Sequence, residues 1–285
     1  MTGKTVRISI SRLTGKKSAT ERSGIASRRA LTAWGAVCAL LCMSGSSQAL
    51  DVFTLWRQPE LPLRLEVGAW TDYRTSIVES GQRTERQIRI QCVAQRGGTW
   101  QVEFIPLEER ASGLVPAPGE GCLLYLAERV RERSGDLADL VRRVIRWQNG
   151  ERTELTPAQW REDPLVSASL RGHFRPRQIR AAGESVRVVA GRALTCRQWE
   201  MSATDTLKVR LPRGTLQQIA TREVTAAVHP DVPFLGIVFA TERNASSARL
   251  EPPRPGGSTP APTLRIEYME LVGYGVGAAR SLGAP

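Results

Sequence analysis

The chain has 285 residues and a formal charge of +12, from 40 Lys and Arg against 28 Asp and Glu. Read whole, that charge suggests a nucleic-acid or anionic-surface binder, but residues 1–49 hold eight of the basic groups and one acidic group, which leaves only +5 on the rest. At 41% hydrophobic and 24% charged the chain is too apolar for wholesale disorder. After residue 50 no uncharged apolar run reaches the ~20 residues of a spanning helix, so multi-span membrane, collagen-like and coiled-coil classes are excluded.

The first element is a leader. Lys4, Arg7, Arg12, Lys16, Lys17, Arg22, Arg28 and Arg29 precede an uncharged stretch from Ala30 to Leu50. Its apolar part, Leu31 to Met43, is ~20 Å long as a helix against ~30 Å of hydrocarbon. A polar Ser44–Gln48 stretch follows, and Ser47-Gln48-Ala49 sets small residues at −3 and −1. The pattern predicts a cleavable signal peptide over 1–49, cut after Ala49, with a retained N-terminal anchor as the rival. Ser27-Arg28-Arg29-Ala30-Leu31 is similar to a twin-arginine signal, although Arg pairs before an apolar stretch also arise for charge reasons alone. Val37 and Leu41 precede Cys38 and Cys42, where a lipidation box needs a small residue. The expected location is the bacterial periplasm or the extracellular space, which removes nucleic acid as a partner. No transmembrane segment is expected in the mature chain.

The body, 50–285, reads as one β-rich domain, because no mid-chain linker separates two self-sufficient halves. Trp70 to Val78 alternates with Tyr73, Thr75 and Ile77 on one side. Ser80-Gly81 turns, and Arg83 to Val93 returns with Ile88, Ile90 and Cys92 in phase. Arg96-Gly97-Gly98 turns again into Trp100–Phe104, so the stretch predicts an antiparallel meander with one buried face. A Gly/Pro-rich loop, Gly113 to Gly121, leads to Leu123–Arg133, which is compatible with a helix. Leu137, Leu140, Val141, Val144 and Ile145 keep helical spacing, and the helix is expected to give way to a strand near Arg143. Asn149-Gly150 is either a helix cap or a type I′ turn into Glu151–Leu155. Thr156-Pro157 starts a short helix through Trp160. A second β region begins near Glu184, turns at Ala190-Gly191, and continues through Arg192–Met201, Thr206–Leu211, Gln218–Val228, Gly236–Glu242 and Thr263–Tyr274. The segment 251–262 (EPPRPGGSTPAP) is a Pro/Gly-rich loop inside the last hairpin. Asn244-Ala245-Ser246 is a formal glycosylation sequon with no meaning behind a bacterial leader.

The body keeps Cys92, Cys122 and Cys196, an odd number in an oxidising compartment. One disulfide in any of three pairings plus a free thiol competes with three buried, reduced cysteines. His173 and His229 are the only histidines. GxSxG, HExxH, GxxxxGK[ST] and GxGxxG are absent, as are CxxC and zinc-spaced Cys/His clusters. The pairs Glu108-Glu109 and Glu162-Asp163 read as solvated loop charge. No catalytic residue, cofactor or metal is therefore assigned.

Three patches carry a resemblance: Val67–Tyr73 (G-x-W-x-x-Y), Val189–Cys196 (A-G-x-x-x-x-C) and Val228–Val238 (V-x-x-D-V-P-x-x-G-x-V), continued by Met269–Gly275. They resemble a poorly characterised group of secreted bacterial cell-envelope proteins. Arg192-Ala193-Leu194 departs from the group's A-G-T-F, and Ala226-Ala227 stands where a Trp is usual. The resemblance implies a curved antiparallel sheet with helical insertions, similar to the periplasmic lipoprotein-carrier half-barrels. It brings no established activity and no catalytic residues.

Several features admit two readings. Trp56, Trp70, Trp100, Trp147, Trp160 and Trp199 fill a core in preference to lining a ligand cavity. The cluster Arg171–Arg180, with His173 inside it, is a solvated basic edge that discourages sheet pairing or a grip on phosphates. Asp231-Val232-Pro233 with Phe234-Leu235-Gly236 is a rigid interstrand loop or a lip over a cavity. The expectation for the fold is α+β, mainly antiparallel β, in one curved sheet or half-barrel with short helices inserted mid-chain. The expectation for function is an exported non-catalytic protein that binds an apolar or amphiphilic ligand, such as a lipid, in the concavity. The alternatives are an adaptor for an envelope protein and, behind it, a hydrolase using Cys or Ser with His229 or His173.

Overall fold

The computed structural model describes residues 55–56, 58–111, 113–134, 137–162, 176–211, 214–251 and 262–282. The expected leader, His173 with Arg171 and Arg175, and all but the ends of the 251–262 loop lie outside these residues. Twelve strands form one antiparallel sheet: β1 (Trp70–Glu79), β2 (Gln82–Arg96), β3 (Thr99–Arg110), β4 (Gly113–Pro116), β5 (Gly121–Ala127), β6 (Val141–Gln148), β7 (Glu151–Leu155), β8 (Gln178–Val189), β9 (Arg192–Leu211), β10 (Gly214–Val228), β11 (Ile237–Glu251) and β12 (Thr263–Gly275). Their order is β7-β6-β5-β3-β2-β1-β12-β11-β10-β9-β8, with β4 attached to β3. Among the described residues a 3-10 helix (Glu128–Glu132) and two short α-helices, α1 (Leu137–Leu140) and α2 (Pro157–Glu162), accompany it. This is the expected class: a large, open, curved, mainly antiparallel sheet with a few short helices.

Local chemistry sets the hairpins. Ser80-Gly81, Gly97-Gly98, Asn149-Gly150 and Ala190-Gly191 all have positive φ at both positions, as a two-residue type I′ turn requires to match the right-handed twist of its strands. Asn149-Gly150 is thus the turn between β6 and β7, where Gln148 faces Glu151, and not a helix cap. The meander β1–β2–β3 follows its alternation, with Tyr73 beside Ile88 and Ile90 beside Phe104.

Five expectations need correction. Leu123–Arg133 is not a helix: Gly121–Ala127 is β5, and only Glu128–Glu132 turns as a 3-10 helix. An unbroken apolar run hides its period when both faces are covered, and Leu123 and Leu124 are both fully buried. The helical spacing after Leu137 ends at Leu140, and β6 starts at Val141, earlier than expected. Within the Gly113–Gly121 loop, Gly113–Pro116 pairs with Arg110–Leu107 as β4. β8 starts at Gln178, before Glu184, and Arg192–Leu211 is one unbroken strand.

The sheet's inner face carries the main core. The outermost strands of the chain meet in the middle of the sheet, β1 against β12, with Trp70 facing Gly275. Tyr73, Ile90, Val102, Phe104, Leu124, Val144, Met201, Val224, Ala240 and Met269 present one apolar surface. Leu55, Trp56, Leu61, Leu65, Val130, Leu137, Leu140, Trp160, Val232, Phe234 and Leu235 plug it. A smaller cluster, Ile105, Leu123, Ile145 and Trp147 with Leu282, covers the opposite face of β3, β5 and β6.

Candidate ligand-binding face

The plug is held by backbone pairing as well as by packing. Arg64 and Phe234 exchange both amide hydrogen bonds at 2.8 Å, and the Arg64 Nη1 donates to the carbonyls of Pro230 and Asp231. Phe234 adopts a left-handed φ of 61° while buried, a conformation that surrounding structure must enforce on a non-glycine residue. At Gly236, φ is 68° and a Cβ would lie 2.5 Å from Pro62 Cγ, so only glycine fits. The Asp231–Gly236 segment is therefore the rigid interstrand loop, folded into the core. His229 Nδ1 accepts the Asp231 amide, so the histidine braces the same turn. The Tyr73 hydroxyl donates to the Ile237 carbonyl, and burial pushes that phenol's pKa up.

Beyond the plug the inner face changes character. The core stops at Met201, Val224, Ala240 and Met269, whereas β9 continues for ten more residues from Ser202 to Leu211, roughly 33 Å of strand. The next positions inward carry charge. Glu242 and Glu267 are direct cross-strand partners and each is 1% exposed. Like charges placed opposite one another repel, and the following row answers them. Arg222 binds both oxygens of Glu242, from Nε at 2.5 Å and Nη2 at 2.7 Å. Asn244 Nδ2 donates to Glu242 at 2.6 Å, and Arg265 Nε binds Glu267 at 2.6 Å. Further out, Leu207 is 46% exposed and Leu216 and Leu250 are half-buried. Register places Leu216 beside Leu250 and Leu207 beside Gln218 on the same face. An ion-paired belt thus separates a filled apolar floor from a partly apolar upper wall.

The remaining candidates have structural roles. Cys92, Cys122 and Cys196 are buried and form no disulfide, so the disulfide alternative is not realised. Burial pushes the Cys92 thiol up to about 11 and raises that of Cys196, which leaves both poor nucleophiles. The six tryptophans do not share a cavity: Trp56, Trp100 and Trp160 belong to the inner core, Trp199 packs on it, and Trp147 sits on the opposite face. Trp70 explains two of the sequence patches together. A Cβ at Gly275 would come within 3.0 Å of its indole and one at Gly273 within 3.4 Å, while Arg89 stacks 4.6 Å over the ring and grips Asp72 through two bonds of 2.7 and 2.8 Å. Of the basic cluster, Arg177 pairs with Asp205 and Arg180 with Glu200 across the β8–β9 hairpin, as a charged edge does. Among the described residues no group of His, Cys, Asp or Glu suits a metal ion, and no helix is long and apolar enough to cross a membrane.

Sequence reasoning passed over the belt. Its signal was present: Arg265 and Glu267 fall in the same alternation phase as Met269 and Leu271, so charge occupies positions where a buried face calls for apolar side chains. It also passed over a cavity of about 460 Å3 at the β7 rim, bounded by β6, β7, α1 and α2.

No family model matches the chain, and no curated protein matches it in sequence. Among solved structures it is similar to the crystal structure of a DUF1329 family protein from Desulfovibrio piger, at 11% identity over 71% of this chain and 85% of that one. The TM-score is 0.22, a likeness too loose to carry an argument about this chain.

Proposed function

We propose that the chain is an exported, non-catalytic cell-envelope protein that binds an apolar or amphiphilic ligand on the concave face of its sheet. The observation that carries this reading is that the plug fills only part of that face. Above the Arg222–Glu242 and Arg265–Glu267 belt the wall is polar and apolar in turn, and at the β7 rim a cavity of about 460 Å3 remains. A surface that is charged at one level and apolar at the next suits a molecule built the same way. The basic leader with its short apolar stretch supports export, and the buried, protonated thiols and the braced His229 offer no activated nucleophile. Native mass spectrometry and solvent extraction of the protein isolated from the periplasm are expected to show a bound amphiphile and a mature N-terminus at Leu50. Protein that carries no ligand and exchanges none from vesicles sinks the reading.

A second reading, an adaptor for an envelope protein, has one observation in its favour. β8 is an edge strand on which Val186 and Val188 are 66% and 72% exposed, and an exposed apolar edge is a template for strand addition. A specific crosslinked partner in cells at β8 would favour it.

A further inference from the structure

One corner of the sheet runs on after its neighbours have stopped. Among the described residues β12 pairs with β11 as far as Thr263 and Ser246, and β8 pairs with β9 as far as Gln178 and Ser202. β9 and β10 continue together to Leu211 and Gly214, and β11 accompanies them to Glu251 opposite Thr215. From Ala203 onward β9 is thus the edge of a three-stranded arm roughly 30 Å long.

The arm has two unlike faces. Register sets Val209, Leu216 and Leu250 in one row across its strands, and Leu207, Gln218 and Ala248 in the next. Leu207 is 46% exposed, and Val209, Leu216 and Leu250 are half-buried. The rows of the opposite face are Lys208, Gln217 and Arg249, then Arg210, Thr215 and Glu251. Arg249 pairs with Glu251, and Asp205, at the base of the arm, pairs with Arg177. Lys208 and Arg210, both exposed, are left as net positive charge. They stand on the arm's edge strand, and their stems are long enough to extend past it toward the plane of the apolar face.

An apolar face with a basic margin suits two covers, a second copy of the chain or an anionic lipid surface. Two rows on three strands measure roughly 14 by 14 Å. A two-fold pair of arms therefore buries about 400 Å2, well short of the ~1,200 Å2 of a stable interface. A lipid surface needs no matching contour, only apolar side chains set against acyl chains and cations at the level of anionic headgroups. We propose that this arm docks on an anionic lipid surface, with Leu207, Val209, Leu216 and Leu250 at the acyl boundary and Lys208 and Arg210 at the headgroups. This rests on the reading that the chain works in the cell envelope, where such a surface is at hand. The docked face is the same face of the sheet that carries the concave core, so a bilayer there lies beside the surface on which an amphiphile binds.

The test uses the full-length chain with Cys38→Ser and Cys42→Ser, so that one added cysteine takes an environment-sensitive thiol dye while Cys92, Cys122 and Cys196 stay buried. One protein carries the dye at Leu207→Cys. The other carries it at Val188→Cys, a position 72% exposed and close to the far end of β9, which controls for vesicle contact made by the basic leader alone. With vesicles of phosphatidylcholine and phosphatidylglycerol in equal parts, the first dye is expected to shift to the blue and the second to stay unchanged. Each cation near an anionic surface is worth about fivefold in binding. Vesicles of phosphatidylcholine alone, or Lys208→Gln with Arg210→Gln beside the first dye, are therefore expected to weaken the response at least tenfold. No shift of the first dye, or an equal shift of the second, overturns the docking arm. A response that neutral vesicles and the double substitution leave intact overturns the role given to the two cations. A shift that needs no vesicles and grows with protein concentration assigns the face to a second copy and overturns the proposal. Native mass spectrometry keeps the two readings apart: an amphiphile held by a chain that does not dock leaves the functional reading standing, and a docking chain that holds none removes the functional reading alone.

Discussion

Glu242 and Glu267 are the residues on which most rests. Two neighbouring carboxylates, each 1% exposed, are neutralised from the adjacent row by Arg222 on β10 and Arg265 on β12. Removing one partner of a buried pair leaves an unanswered charge, a loss of about 3 kcal/mol or more, whereas replacing both partners with apolar groups is often near neutral. Arg222→Met is therefore expected to lower stability by about 2–4 kcal/mol, the Arg222 side chain being a quarter exposed. Arg222→Met with Glu242→Leu is expected to recover most of that loss. Urea denaturation of the three proteins checks this, and a double variant no more stable than Arg222→Met argues that the belt is not a closed pair. The belt was legible only as an anomaly of phase. Which arginine answers which carboxylate depends on register between β10, β11 and β12, and register is a property of pairing.

At the scale of elements, β5 shows why one segment misled. Leu123, Leu124 and Leu126 are all buried because the sheet is covered on both sides there. The inner cover is the plug. The outer cover is the C-terminal segment, whose Leu282 enters the Ile105, Leu123, Ile145 and Trp147 cluster. It is held by a carboxylate: Glu103, fully buried, accepts the amides of Ser281 at 3.0 Å and Leu282 at 3.1 Å and the Gln91 side chain at 2.6 Å. A Cβ on Gly121 would come within 2.9 Å of Leu282 Cδ1 and 2.7 Å of the Phe104 carbonyl, so the glycine makes room for the strap. Deleting residues 279–285 removes two donors from a buried carboxylate and uncovers four apolar side chains. The expected cost is about 3 kcal/mol or more, a fall in Tm of roughly 6–12 °C with a red shift in Trp147 emission. An unchanged Tm and emission would mean the segment contributes nothing to the fold.

For the whole molecule, the decisive pairing is β1 with β12. The seven strands of the first half and the five of the second are joined where Trp70–Glu79 meets Arg265–Gly275, and one core runs through both halves. Such a sheet depends on contacts between distant parts of the chain, which form slowly. Refolding is expected on the ms–s scale or slower, and tryptophan emission and far-UV circular dichroism are expected to lose signal at the same denaturant midpoint. Two separated midpoints would show that the halves fold independently.

The sequence alone determined much of this. Alternation marked the strands, Asn-Gly and its relatives marked the hairpins, the basic leader pointed to export, and the lack of nucleophile–base motifs turned attention from catalysis to binding. These are local properties, set by backbone dihedrals and the two-residue period of a strand. Only the tertiary structure decided that the chain ends meet at the sheet's centre, that the D-V-P loop is a plug, that Trp70 and the Gly273–Gly275 patch are one contact, and that two carboxylates lie buried side by side. Each of those is a long-range meeting of segments, and such a meeting depends on which surfaces complement one another once the sheet has curved, which no window of neighbouring residues contains.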